Sequence, residues 1–127
     1  MLVRDCMTKE PVTVERSDTL ASAYMKMKEG GFRRIPVVQA GELIGILTEY
    51  DLRPYMELRD SILVVSAMTP APVTVSPSAT LEHAIALLRK SQIGALPVVD
   101  HGSLIGIITA SDLWFPTPRP LLEGARH

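Results

Sequence analysis

Apolar residues along this chain switch between two periods, and they do so twice. Leu20, Ala23, Tyr24 and Met27 fall at i, i+3, i+4 and i+7, the spacing of one helical face. Leu81, Ala84, Ile85 and Leu88 repeat it. Before each helix lies a short β-prone piece, Val12-Thr13-Val14 or Val73-Thr74-Val75, and then polar residues of the kind that cap helices. Gly30-Gly31 is expected to close the first helix, because glycine accepts the left-handed conformation found there. Residues 35–38 and 43–47 are continuous apolar runs parted by a turn at Gly41, which predicts two strands buried on both faces. Thr48 opens a further helix, predicted to run to Leu58. Each half thus reads β-α-β-β-α.

The two halves superpose without a gap. Met7-Thr8 returns 61 residues on as Met68-Thr69, and Pro11-Val-Thr-Val14 as Pro72-Val-Thr-Val75. Thr19-Leu20 matches Thr80-Leu81, and Pro36-Val-Val38 matches Pro97-Val-Val99. Gly41, Leu43-Ile-Gly-Ile46, Thr48, Asp51 and Leu52 meet Gly102, Leu104-Ile-Gly-Ile107, Thr109, Asp112 and Leu113. This is a duplicated unit. Residues 1–60 form the first repeat, 61–115 the second, and 116–127 a proline-rich tail in which Pro116, Pro118 and Pro120 prevent a helix from continuing. Between the copies, Ile62-Leu-Val-Val65 is apolar and should pack, so the copies form one structural unit rather than beads on a linker.

Composition narrows the function classes. A chain of 127 residues can bury one core, and 46% hydrophobic with 21% charged residues is ordinary globular usage. A net charge of −1 offers nothing to draw nucleic acid or anionic lipid. The start, MLVRDCMTKEP, has charges where a secretory signal needs an apolar run, and no stretch is long enough for a membrane span, so a cytoplasmic protein is expected. Cys6 has no disulfide partner and no metal-ligand cluster around it, and reads as a small core residue. His83 and His101 lack ligands at metal spacing and read as solvated. With no P-loop, no Ser/His/Asp set and no paired acids in a catalytic context, the residues do not argue for an enzyme, and no cofactor or metal is required.

The ordered set of β-α-β-β-α, hPVV, GhLIGIhT and a trailing Asp-Leu, present twice, resembles the cystathionine-β-synthase (CBS) domain over about residues 3–58 and 64–115. The resemblance implies an α+β fold in which two repeats pack sheet to sheet as a pseudo-symmetric pair, a Bateman module. It also implies clefts between the repeats that take adenosyl ligands, namely AMP, ADP, ATP, NAD or S-adenosylmethionine, and a homodimer built from two pairs.

Within that frame, Thr48 with Asp51, and Thr109 with Ser111 and Asp112, are candidate ribose and phosphate contacts. Spacing alone reads Thr-x-x-Asp as a capping box. A helix N-terminus also suits a phosphate, and the resemblance adds the aspartate as a ribose ligand. Arg33 and Arg34 stand where related domains hold phosphate, a task suited to the planar guanidinium fork; their bland alternative is a solvated basic edge. The second copy has Gly94-Ala95 there, so the two clefts should differ: cations in one, small side chains and room in the other. Glu49, against Ala110, either opposes phosphate or orients an arginine. Thr13-Val14 with Ile35-Pro36, and Thr74-Val75 with Leu96-Pro97, match the family's adenine-contacting stretches, with plain strand core as the alternative.

Two functions from different classes follow. One is a stand-alone regulatory module whose adenosyl ligand shifts its packing and so signals to an unlinked partner. The other is a constitutive dimerisation scaffold whose clefts bind nothing.

Overall fold

The structure, a computed structural model, describes residues 1–114; the proline-rich tail and its predicted helix stop lie outside the described residues. In chain order the elements are α1 (Val3–Cys6), β1 (Thr8–Lys9), β2 (Val14–Glu15), α2 (Leu20–Gly30), β3 (Arg34–Gln39), β4 (Glu42–Thr48) and α3 (Glu49–Leu52). A 3-10 turn follows at Arg53–Leu58, then α4 (Val64–Ala67), β5 (Thr69–Pro70), α5 (Leu81–Lys90), β6 (Ala95–Asp100), β7 (Ser103–Thr109) and α6 (Ala110–Trp114). Helices and strands mix as expected, and β-α-β-β-α appears as β2-α2-β3-β4-α3. In the second copy the first β piece shrinks to a single bridge, Val75 to Val98, ahead of α5-β6-β7-α6.

The chain forms two compact units whose boundaries are offset from the sequence repeats. One comprises Val12–Pro72; the other joins Met1–Pro11 to the described chain from Val73 on. The reason is a reciprocal loan. Leu63 bridges Thr19, the cap of α2, and Val64 donates its N–H to the Asp18 carbonyl at 2.8 Å. Sixty-one residues earlier, Leu2 bridges Thr80, the cap of α5, and Val3 donates to Ala79 at 2.9 Å. Val64 and Val3 are both fully buried, each in the core of the unit its segment joins. Of the apolar residues at 62–65, Val64 and Ile62 therefore pack on the copy that precedes them, while Leu63 is exposed.

In the unit of Val12–Pro72, Val14, Leu20, Ala23, Met27, Ile35, Val37, Leu47 and Leu52 build the core, with Tyr24 packed at its edge. The α2 face follows the predicted spacing. Strand β3 is antiparallel to β4 and parallel to β2. Ala40-Gly41 turns between β3 and β4 with φ of 50° and 83°, a two-residue hairpin geometry that glycine makes cheap; His101-Gly102 repeats it between β6 and β7 at 51° and 83°. Each unit also has a glycine demanded by close approach. A Cβ at Gly45 would lie 2.5 Å from Met68 Sδ and 2.9 Å from the Thr69 carbonyl; at Gly106 it would lie 2.5 Å from Met7 Sδ and 3.0 Å from the Thr8 carbonyl. In the other unit Val3, Cys6, Met7, Val75, Leu81, Ala84, Leu96, Val98 and Ile108 form the core, so Cys6 is a buried small residue as its isolation predicted.

One expectation fails. The helix from Thr48 does not run to Leu58: α3 ends at Leu52 and the chain tightens into the 3-10 turn. Pro54 explains it, since it has no N–H to offer the Tyr50 carbonyl and its ring would clash there. Arg53 already donates its N–H to Tyr50, three residues back.

Candidate functional site

The hairpin register decides which candidates meet. In the unit of Val12–Pro72, Arg34 pairs directly with Thr48 across β3 and β4. One residue outward, the Glu49 N–H donates to the Arg33 carbonyl at 2.8 Å, so the end of β3 is tied to the start of α3. Arg33, Arg34, Thr48, Glu49 and Asp51 therefore share one strand end. Arg33 Nε lies 3.8 Å from Glu49 Oε2, with side chains 81% and 47% exposed. Arg34 is half-buried, and burial, followed by the charge of Arg33, pulls its guanidinium below the ordinary arginine value.

Thr48 and Asp51 close the capping box that their spacing predicts. The Asp51 N–H donates to Thr48 Oγ1 at 3.2 Å, and the Thr48 N–H to Asp51 Oδ2 at 2.9 Å. One carboxylate oxygen of Asp51 is thus given to the cap, and its other oxygen has no part in that box. Because α3 has four residues, its aligned peptide dipoles add little for a phosphate. Positive charge at this strand end comes from the two arginines.

At the matching strand end of the second copy, Ala95 pairs with Thr109. The Thr109 N–H and hydroxyl reach Asp112 Oδ2 at 2.9 and 3.2 Å, and Ser111 Oγ lies 3.0 Å from Thr109 Oγ1. Thr109 and Asp112 are buried, at 3% and 9% exposure, whereas Asp51 is half-buried. The room predicted for this copy is present: Ile85, Leu88, Arg89, Gly94, Ala110 and Leu113 line a cavity of about 600 Å³. Gly94 and Ala110 are the counterparts of Arg33 and Glu49. The backbone departs as well, since Gly94 has φ of 77° while Arg33 is not left-handed.

The adenine-slot candidates also come together within each unit. Val14 pairs with Val37, which sets Thr13 beside Pro36. Val75 donates its N–H to the Pro97 carbonyl at 3.0 Å and accepts from Val99 at 3.0 Å. The side chains of Val14, Ile35, Val75 and Leu96 are core, as the plainer alternative held, so these stretches offer a ligand mainly their backbone edges and the less buried Thr13 and Thr74.

Sequence reasoning passed over Lys26. Its Nζ donates to the Thr13 carbonyl at 2.9 Å, fixing the β2 entry of the first copy; the second copy has Leu87 at the matching helix position of the gapless superposition, which was the available signal. It also passed over Phe32, which is buried so tightly over Gly30 that a Cβ there would enter the ring. His83 is exposed, and exposed His101 lies 3.0 Å from Asp100. Among the described residues there is no cluster of three or more His, Cys, Asp or Glu able to hold a metal, and no helix long and apolar enough to cross a membrane.

Comparison with known proteins matches both repeats. The model of the CBS domain matches twice, at residues 3–57 and 62–113. CBS domain-containing protein YhcV of Bacillus subtilis is 39% identical over 114 residues, covering 87% of this chain and 81% of its own. The crystal structure of CBSX2 in complex with AMP, a CBS-pair protein of Arabidopsis thaliana, has a TM-score of 0.79 at 32% identity over 89% of this chain and 93% of that one. The CBS domain pair of MJ0100 in complex with 5-methylthioadenosine and S-adenosyl-L-methionine has a TM-score of 0.82 at 25% identity, covering 90% and 93%. Matches extend to larger enzymes, of which this chain spans a minor part: it covers 23% of an inosine-5'-monophosphate dehydrogenase of Korarchaeum cryptofilum, at 34% identity.

Proposed function

Because this chain belongs to the CBS-domain family, we propose that it is a non-catalytic regulatory module which binds an adenosyl ligand at the strand ends of its repeats and signals by a change of packing. The observation that carries the reading is the placing of Arg33 and Arg34 beside Thr48 and Asp51 by the β3–β4 register. A guanidinium pair next to a carboxylate with one oxygen outside the cap suits a ligand with a phosphate on one side of a ribose diol. The backbone edges at Thr13 and Pro36 lie on the same strands and offer an adenine ring its hydrogen bonds.

AMP, ADP and ATP are the ligands this set favours, since the arginines have nothing to grip in a neutral adenosyl group. The AMP and S-adenosylmethionine complexes of related pairs support the same class. NAD, with a pyrophosphate, also satisfies the chemistry. A ligand regulates if it binds one arrangement of the protein better than another. The acting species is a homodimer, and the helices that begin after Thr19, Thr48, Thr80 and Thr109 are its contact elements. Light scattering checks this: about twice 13.9 kDa is expected at micromolar concentration, and a monomer overturns it.

Calorimetric titration with AMP, ADP, ATP, NAD and S-adenosylmethionine tests the ligand reading. Saturable binding of a phosphate-bearing member is expected. Absence of binding across the panel would leave the constitutive scaffold in its place.

A further inference from the structure

The first copy carries Arg33 and Glu49 together; the second has Gly94 and Ala110, and so carries neither. Within the first copy the two are joined twice, by the Glu49 N–H to the Arg33 carbonyl at 2.8 Å and by the side chains at 3.8 Å. The backbone bond is short and fixes where the carboxylate starts. The side-chain contact is loose. It runs through Nε near the outer limit of an ion pair, whereas a bidentate arginine–carboxylate fork closes to about 2.7–2.9 Å. An exposed pair of this kind holds by little and is easily exchanged. The strand end therefore has two cations, Arg33 and Arg34, against two carboxylates, Glu49 and Asp51, and one oxygen of Asp51 already accepts from the Thr48 amide at 2.9 Å.

We propose that Glu49 is an internal counter-anion of the phosphate subsite: its carboxylate holds the place on Arg33 that a ligand's phosphate takes, so every phosphate-bearing ligand must displace it. The inference rests on the reading of Arg33 and Arg34 as phosphate ligands, and it settles the role of Glu49 as a competitor rather than an orienting partner. Displacement sends the carboxylate into solvent, to which it is already about half exposed. Binding then exchanges one weak exposed pair for a bidentate one. Glu49 thereby lowers affinity for anionic ligands selectively, and it leaves contacts to ribose and adenine untouched.

The test is a set of titrations with AMP and adenosine on the full chain, the variants Glu49→Gln and Arg33→Ala, and their combination. Glu49→Gln keeps the shape and removes the charge. It is expected to tighten AMP roughly three- to fivefold, the size of an exposed ion pair, with adenosine unchanged. The gain should vanish when Arg33 is alanine. Unchanged or weaker AMP binding in Glu49→Gln, or a gain that persists without Arg33, overturns the proposal. Inorganic pyrophosphate, followed on the Arg33 Nε–H resonance, separates this question from the adenosyl reading. Tighter pyrophosphate binding in Glu49→Gln, with neither AMP nor adenosine bound by any variant, would sink the adenosyl reading and uphold Glu49 as counter-anion. No pyrophosphate response in either wild type or Glu49→Gln would remove the counter-anion itself.

Discussion

The two repeats share a scaffold and differ at one strand end. Both have an αL-glycine hairpin, a glycine beneath a methionine, a threonine-capped helix and an aspartate bonded to the Thr48 or Thr109 amide. At the open end of the hairpin the first copy has Arg33, Arg34 and Glu49; the second has Gly94, Ala95 and Ala110, of which Gly94 and Ala110 line a cavity together with Arg89 and apolar side chains. Positions set by backbone geometry are thus duplicated faithfully, while those at the open strand end have diverged. The divergence reaches the backbone, because Gly94 adopts a left-handed conformation that disfavours any arginine placed there.

Ligand binding should have the largest effect on this comparison. AMP at a hundredfold excess over Kd is expected to add roughly 2.7 kcal/mol to stability, read as a rise in the thermal midpoint. Failure of AMP and of the other adenosyl ligands to move the melting curve would leave both repeats as scaffold.

The shared positions should break alike. Gly45→Ala and Gly106→Ala each drive a methyl into a methionine and a carbonyl oxygen, and each is expected to cost about 1–3 kcal/mol. Denaturant unfolding checks this, and a large inequality between the two would show that the units do not depend equally on the close approach.

The aspartates sharpen the contrast at smaller scale. Asp51→Ala and Asp112→Ala are expected to lose about 0.5–2 kcal/mol as caps, with Asp112 at the upper end because it is more buried and takes both the amide and the hydroxyl of Thr109. Equal losses would mean burial does not separate them. Gly94→Ala should cost about 1 kcal/mol through its backbone alone. If it is neutral, the left-handed φ is not what bars an arginine from the second copy.

Most of the fold was legible because its signals are periodic. The helical spacing from Leu20 and from Leu81, the apolar runs and the 61-residue offset each depend on local sequence alone. What escaped is non-local or a matter of one residue. That Leu2 and Leu63 pack on the neighbouring copy's helix caps follows from chain routing, although the match of Leu2-Val3 to Leu63-Val64 was visible. The early end of α3 turned on Pro54, which helical periodicity does not count. Of the site, residue identities and the contrast at Arg33-Arg34 were readable. The Arg34–Thr48 pairing and the hold of Lys26 on Thr13 were not, since hairpin register and a reach of 13 residues exist only in three dimensions.

If the first repeat grips phosphate with Arg33 and Arg34, calorimetry on the double variant Arg33→Ala/Arg34→Ala reads it out. Each charge-assisted hydrogen bond is worth roughly 1.5–3 kcal/mol, so AMP affinity should fall by at least about tenfold. Adenosine affinity should hold, and the native melting profile should show that the fold is intact. Equal loss of AMP and adenosine in a folded variant would mean that the arginines shape the strand end without holding phosphate.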